Sequence, residues 1–266
     1  MSSSCLQDYK TEEQTRASQQ LNTQAGKKAK RTLVLSDVHH KWKKAQVIID
    51  SVPHDHVIHL GDHQDDFGDT PWQALATAKW TKDRLDAGDT ILLGNHDLPY
   101  WFPHPKHNWG CGWDSGKHNI IQSVLSTKDR KKFKLWVECE GWLLSHAGFC
   151  SMYADLVPYH DIFIDETLHS GDTHPLIYSV GAARSGMFSK LQSNGGCLWI
   201  DWNELKCELD KVGVVWKQIV GHTPHKYPNG KKRQDGNTDW CIDTHLKHYG
   251  IIEDGEFTTH EVPKVQ

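Results

Sequence analysis

Apolar residues in this chain come in runs of four or five, and most of the runs stop at a polar cluster. Thr32-Leu33-Val34-Leu35-Ser36 predicts a short buried strand that begins the fold at Thr32, with a helix over about Trp42–Ser51 behind it. His56-Val57-Ile58-His59-Leu60 predicts a second strand, and about Pro71 to Ala87 a helix with proline in its first turn. Thr90–Leu93 reads as a third strand. Ile91, Leu92 and Leu93 lead into Gly94, where a buried strand stops sharply. Three strand–loop–helix units in succession imply a parallel sheet with right-handed crossovers.

The pattern then loosens. Leu98–Gly116 is dense in Trp, Tyr, Phe, Pro, His and Gly, and is expected to be a long loop beside the strand ends. Its aromatics either line a substrate pocket or cover a hydrophobic edge. A helix over about Lys117–Ser126 precedes a hairpin of Phe133–Glu140 and Trp142–Ser145. Cys150–Asn194 reads as helical and irregular, with a short helix at Asp161–His169 and a turn-rich stretch from Ser179 to Gly186. Cys197–Asp201 and Lys217–Val220 are predicted strands. Trp240–Asp243, Gly250–Glu253 and Glu256–His260 are expected to close a second sheet. Residues 1–30 are rich in Ser, Gln, Thr and Lys, which predicts a mobile tail with a short helix around Glu12–Gln20. With no linker and no internal repeat, residues 31–266 are expected to form one domain.

Composition narrows the class. Of 266 residues, 37% are hydrophobic and 24% charged, which suits a soluble globular protein with a real core. The net charge of -4 argues against a general nucleic-acid binder. No apolar run reaches membrane-spanning length and the N-terminus lacks a signal-peptide core, so no membrane partner is expected and the location is expected to be cytoplasmic. The 7 scattered cysteines, with no C-x-x-C pair, fit reduced thiols. The 19 histidines are compatible with metal sites without proving one.

Parallel sheets bind their ligands outside the carboxyl ends of the strands. Here those ends carry Asp37-Val38-His39, Gly61-Asp62-His63-Gln64-Asp65-Asp66 and Gly94-Asn95-His96-Asp97. Parallel geometry gathers Asp37, His39, Asp62, Asn95 and His96 on one edge. An acid and an imidazole two residues apart are a weak signal alone, since Asp172-Thr173-His174 and Asp243-Thr244-His245 repeat it. His54, Asp55, His56 and His59 form another metal-like cluster, which strand alternation should disperse. Further along, the second hairpin strand ends in His146-Ala147-Gly148, and Lys217–Val220 ends in Gly221-His222-Thr223-Pro224.

The ordered set D-x-H, G-D-x-x-D, G-N-H-D, S-H-A-G and G-H-T-P, spanning roughly Leu33 to Ile252, resembles the calcineurin-like metallophosphoesterase superfamily. Its details look most like the phosphoprotein phosphatase branch and its bacterial and phage relatives. Nucleases of the superfamily usually read G-H-x-H, and here Pro224 takes the place of the second histidine. The resemblance implies a four-layer α/β/β/α sandwich with two mixed sheets and a site for two divalent metal ions. It implies that Asp37, His39 and Asp62 bind the first ion, and that Asp62, Asn95, His146 and His222 bind the second, with Asp62 bridging. Mixed oxygen and imidazole ligands suit Mn, Fe, Co, Ni or Zn. It further implies that His96 is the general acid, oriented by Asp65. The substrate would be a phosphorylated protein or small molecule, and the reaction metal-dependent phosphomonoester hydrolysis of the Ser/Thr protein-phosphatase kind.

One position departs from that pattern. Protein phosphatases commonly read G-D-x-x-D-R-G, the arginine gripping phosphate, whereas Asp66 stands there in this chain. Arg184 is a candidate replacement, because related bacterial sequences carry a similar turn ahead of a stretch like Gly195-Gly196 and Trp199-Ile200-Asp201-Trp202. A surface salt bridge is the other reading of Arg184. Two rival functions remain open. One is hydrolysis of dinucleoside polyphosphates or nucleic-acid ends, with the aromatic loop stacking a base. The other is a binding scaffold with a dead site, which a missing ligand would mark, and none of the expected positions is missing.

Overall fold

The computed structural model describes residues 30–101, 112–159, 174–185, 194–211 and 213–263. The expected tail, the helix at Glu12–Gln20, the helix at Asp161–His169 and most of the aromatic stretch lie outside the described residues. Residues Arg31–Gln266 form one compact unit.

Among the described residues, ten short strands build two five-stranded sheets. β1 (Thr32–Leu35), β2 (His56–His59) and β3 (Thr90–Ile91) run parallel. β9 (His248–Glu253) and β10 (Glu256–Glu261) extend that sheet antiparallel from β1, giving the order β10-β9-β1-β2-β3. The second sheet has the order β4-β5-β6-β8-β7, from β4 (Trp136–Cys139), β5 (Trp142–Ser145), β6 (Lys217–Val220), β7 (Asn229–Lys232) and β8 (Thr238–Cys241).

Side-chain alternation makes the layers. On β1, Val34 faces inward to meet Ile58, Leu144, Ile219 and Ile252 between the two sheets. Its neighbours Leu33 and Leu35 face outward, against Ala45, Ile48 and Ile49 of helix α1 (Trp42–Ser51) and Trp80 of helix α2 (Pro71–Ala87). On β5 the same rule sends Leu144 to the inter-sheet core and Leu143 to a third cluster with Phe149, Leu176, Leu198 and Trp202. The period of two therefore yields four layers, helices outside and two sheets within. Burying each such Leu or Ile contributes roughly 1.5–3 kcal/mol. α2 starts where the sequence places it, because Thr70 and Gln73 form a reciprocal capping box and Pro71 pre-sets the first turn.

Several expectations need correction. Cys197–Asp201 is not a strand: Trp199 N and Ile200 N both bond to Gly196 O, making a turn, while Ala147 N bonds to Cys197 O. Strand β3 is only two residues, since Leu92 makes an isolated bridge to Lys134 and Gly94 then turns away. The hairpin strand β4 begins at Trp136 rather than Phe133. Helix α3 spans Ser115–Val124, two residues early, because Asp114 accepts from Gly116 N and Lys117 N and so starts the helix. β9 and β10 close the first sheet, not the second, and β7, which pairs with β8, was not expected. The stretch expected to be turn-rich near Ser179 contains a short helix, Gly181–Ser185. The His54–His59 cluster is dispersed: His59 pairs with Asp89, His56 meets Thr90 Oγ1 and His54 meets the Val52 carbonyl. Among the described residues no helix is long and apolar enough to cross a membrane.

Candidate metal centre

The polar clusters that end β1, β2, β3, β5 and β6 meet at one end of the two sheets. The chain must turn hard there, and three of the residues it presents sit in the left-handed region: His39 (φ 40), Asp62 (φ 51) and His222 (φ 66). Backbone of this kind outside glycine is costly and gathers at functional sites. The preceding glycines have a steric cause. A Cβ at Gly94 would run into the Asp62 carboxylate, and one at Gly221 into Asp37. Gly-Asp, Gly-Asn and Gly-His are thus one packing solution repeated, in which strand ends come close enough for their polar side chains to share a point.

At that point four acceptors face one another. His146 Nε2 lies 2.9 Å from Asn95 Oδ1, 3.0 Å from His222 Nδ1 and 3.4 Å from Asp62 Oδ2. The far nitrogen of His146 donates to the Leu60 carbonyl at 2.8 Å, and that of His222 to the Trp199 carbonyl at 3.2 Å. Those bonds fix the tautomers, leaving lone pairs on both facing nitrogens. His39 repeats the arrangement: Nδ1 donates to the Asp65 carbonyl at 2.7 Å, and Nε2 turns to Asp62 Oδ2 at 3.5 Å. Three imidazoles braced by backbone carbonyls with their free nitrogens converging are the usual setting of metal-bound histidine. Lone pairs this close repel unless a cation lies among them, so the donor set fits a divalent ion. Among the described residues, two groups of side chains are close enough to hold one: Asp62, His146 and His222, and His39, Asp62 and His96. Asp62 belongs to both.

The charges of the site state the same demand. Burial would raise the Asp62 carboxyl, but His146, His96 and His39 outweigh it and bring it below its ordinary value. Burial would lower His39, but Asp62 and Asp37 hold it above. Burial first, then the neighbouring His146 ring and the Arg184 guanidinium, push His222 well below an ordinary imidazole. Asp37 is raised by burial and is gripped by the His222 N–H, which donates to both carboxylate oxygens at 3.0 and 3.1 Å.

His96 and Asp65 form a pair beside these groups. His96 Nδ1 lies 3.0 Å from Asp65 Oδ2. Burial opposes the imidazolium, yet Asp62 and Asp65 raise its pKa to about 9. Burial likewise opposes the Asp65 carboxylate, yet hydrogen bonds from His96, Lys117 and Tyr100 bring it down to about 2. Asp97, at the end of the same motif, does not orient His96. Its oxygens accept from the backbone N–H groups of His63, Gln64 and Gly94 and hold the two loops together.

A cavity of about 340 Å³ opens over the cluster. His39, Asp62, Asn95, His96 and His222 line it, together with Arg184. Arg184 lines the cavity, and its guanidinium lies 3.6 Å from the Asp201 carboxylate. Asp66 lines the cavity too, where an arginine would be expected. The sequence did not reveal Lys41, Phe67, Trp199, Asp243 and His245 as cavity residues, nor Tyr100 and Lys117 as partners of Asp65. Asp243-Thr244-His245 did carry a signal, the repeated acid–imidazole spacing, but it follows no strand–helix unit.

The family described as calcineurin-like phosphoesterase matches residues 30–252. No protein among those with curated descriptions matches the sequence. Among solved structures, a cold-active protein-tyrosine phosphatase from a psychrophilic Shewanella species aligns at 17% identity and TM-score 0.53, covering 87% of this chain and 80% of that one. A second structure of a cold-active protein tyrosine phosphatase aligns at 16% identity and TM-score 0.55, covering 87% and 79%. At these identities the likeness is one of fold.

Proposed function

Because the chain belongs to the calcineurin-like phosphoesterase family and is therefore a phosphoric ester hydrolase, we propose that it is a phosphomonoesterase of the Ser/Thr protein-phosphatase kind working with two divalent ions. Asp37, His39 and Asp62 would hold one ion and Asp62, Asn95, His146 and His222 the other, each being Mn, Fe, Co, Ni or Zn. The single observation that carries this is the position of Asp62 Oδ2, 3.5 Å from His39 Nε2 and 3.4 Å from His146 Nε2, between two sets of converging lone pairs. When bound, such ions make water acidic near neutral pH and draw charge from the phosphate oxygens.

The protein's own residues supply the rest. The reaction we propose is direct attack by water on phosphorus, with no phosphoenzyme. Asp65 holds the N–H of His96 Nδ1, so Nε2 is free to give its proton to the departing oxygen. Arg184 supplies the cavity's guanidinium and would take the phosphate oxygens in place of the arginine absent at position 66.

The dinucleoside polyphosphate reading is favoured by one feature: Phe67 stands at the cavity 68% exposed, a free face for a base. A panel of phosphoserine, phosphothreonine and phosphotyrosine peptides, nucleotides and diadenosine tetraphosphate, run with manganese, separates the two. Preference for diadenosine tetraphosphate over every peptide would reject the protein-phosphatase reading.

A further inference from the structure

We propose that Lys117 is a positioning residue for the His96–Asp65 pair: its buried ammonium, clasped between Asp65 and Asp69, locks the Asp65 carboxylate in the orientation that presents His96 to the cavity. The inference rests on the reading of His96 as the acid that protonates the leaving oxygen.

The Lys117 side chain is 3% exposed, and its Nζ lies 2.5 Å from Asp65 Oδ1 while also pairing with Asp69 Oδ1. A buried ammonium loses its hydration, and an apolar side chain of the same length would commonly pack there at less cost. Its position among the partners of Asp65 accounts for keeping it. Asp65 is wholly buried and takes two donors on each oxygen: Lys117 Nζ and Tyr100 OH (2.7 Å) on Oδ1, His96 Nδ1 and Gly112 N (2.6 Å) on Oδ2. Among these, Lys117 is the one full charge that does not itself reach the cavity. Without it, Oδ1 keeps only a phenol, and the carboxylate loses the one charged contact that holds it from the side away from His96.

The surroundings make Lys117 a rigid strut. It stands in the first turn of α3, where Asp114 accepts from its backbone N–H at 3.0 Å. Asp69 is fixed on its other oxygen by His40 Nε2 at 2.5 Å, and His40 Nδ1 meets Thr77 Oγ1 of α2 at 2.8 Å. The sequence from His96 through Asp65, Lys117, Asp69 and His40 to Thr77 therefore ties the acid to two helices. Lys117 touches no part of the cavity and would act only through Asp65.

The test compares kcat on a phosphoserine peptide, whose alkoxide leaves poorly without a proton, with kcat on p-nitrophenyl phosphate, whose phenolate leaves well. It uses the full chain loaded with manganese, and the variants are Lys117→Met and His96→Asn. Lys117→Met should lose about tenfold or more on the peptide beyond its loss on p-nitrophenyl phosphate, the scale of one charge-assisted hydrogen bond. Metal content and KM should stay near the parent values. In the full chain loaded instead with zinc, which is diamagnetic, the ring resonance of His96 should be single in the parent and broaden or split in Lys117→Met. Lys117→Met/Asp69→Asn also removes the charge of Asp69, which then keeps only His40 as a partner, and makes the same comparison if the single variant does not fold. Equal losses on both substrates, with an unchanged His96 resonance, would reduce Lys117 to a structural staple while leaving the acid intact. A His96→Asn variant that shows no substrate bias would instead remove the acid itself, and this inference with it.

Discussion

His146 Nε2 and His222 Nδ1 stand 3.0 Å apart, and the far nitrogen of each ring is committed to a backbone carbonyl. Two neutral imidazoles cannot share a hydrogen bond in that state, so their closeness is a repulsion that only a cation relieves. They come from different strand ends, β5 and β6, which pair in parallel. Their separation is therefore set by the sheet itself and not by a flexible loop.

Removing either ring should empty the site. His146→Ala and His222→Ala are expected to lose metal and p-nitrophenyl phosphate activity together, with Asp62→Asn at least as damaging because it faces both groups. Metal analysis alongside activity checks this. In the parent protein, metal at about a hundred times its dissociation constant should add roughly 2.7 kcal/mol of stability, read as a rise in Tm that a chelator reverses. A Tm indifferent to metal and chelator would contradict it.

Gly94→Ala should abolish metal binding without changing any ligand. The new Cβ overlaps the Asp62 carboxylate, which His96 N–H also holds at 2.9 Å. The loop must move and carry Asn95 and Asp62 apart. Circular dichroism near that of the parent together with lost metal content is the expected result, and retained metal would show that the loop has slack.

Arg184→Ala should weaken phosphate binding. A charge-assisted contact of this type is worth roughly 1.5–3 kcal/mol, or about ten- to a hundredfold. Substrate affinity and the inhibition constant for inorganic phosphate should shift together. Parallel kinetics in parent and variant would leave only the salt bridge to Asp201.

Asp239 should make stability fall with rising pH. Burial lifts its carboxyl to about 6, and its Oδ2 has no hydrogen-bond partner. A carboxyl raised in the folded state above its unfolded value near 3.9 favours folding fully below about pH 4, and that contribution is lost as pH rises through about 6. Asp239→Asn keeps an acceptor for Gln218 N–H and removes the charge. It should flatten the stability profile between pH 4 and 6 and add about 3 kcal/mol near pH 7, measured by urea denaturation. An unchanged slope between pH 4 and 6, with the variant less stable near pH 7, would mean that Arg233, 3.8 Å away, compensates the charge better than burial opposes it.

The amino-acid sequence by itself determined the strand cores, the two long helices and the strand-end residues that converge. Each of these is a local property. Leu33 to Leu35 alternate between two hydrophobic layers because successive side chains point to opposite faces. Glycine before Asp62, Asn95 and His222 marks where backbone must approach closely, and that requirement survives in the letters alone. Tertiary structure decided what joins across distance. Whether β9 and β10 close the first sheet or the second depends on which edge has room, and their alternation reads the same either way. Lys117 meets Asp65 across 52 positions, and Asp243 and His245 reach the cavity from beyond β8. No periodicity encodes such meetings, because a buried charge is specified by the partner that compensates it, and that partner is fixed only when the layers pack.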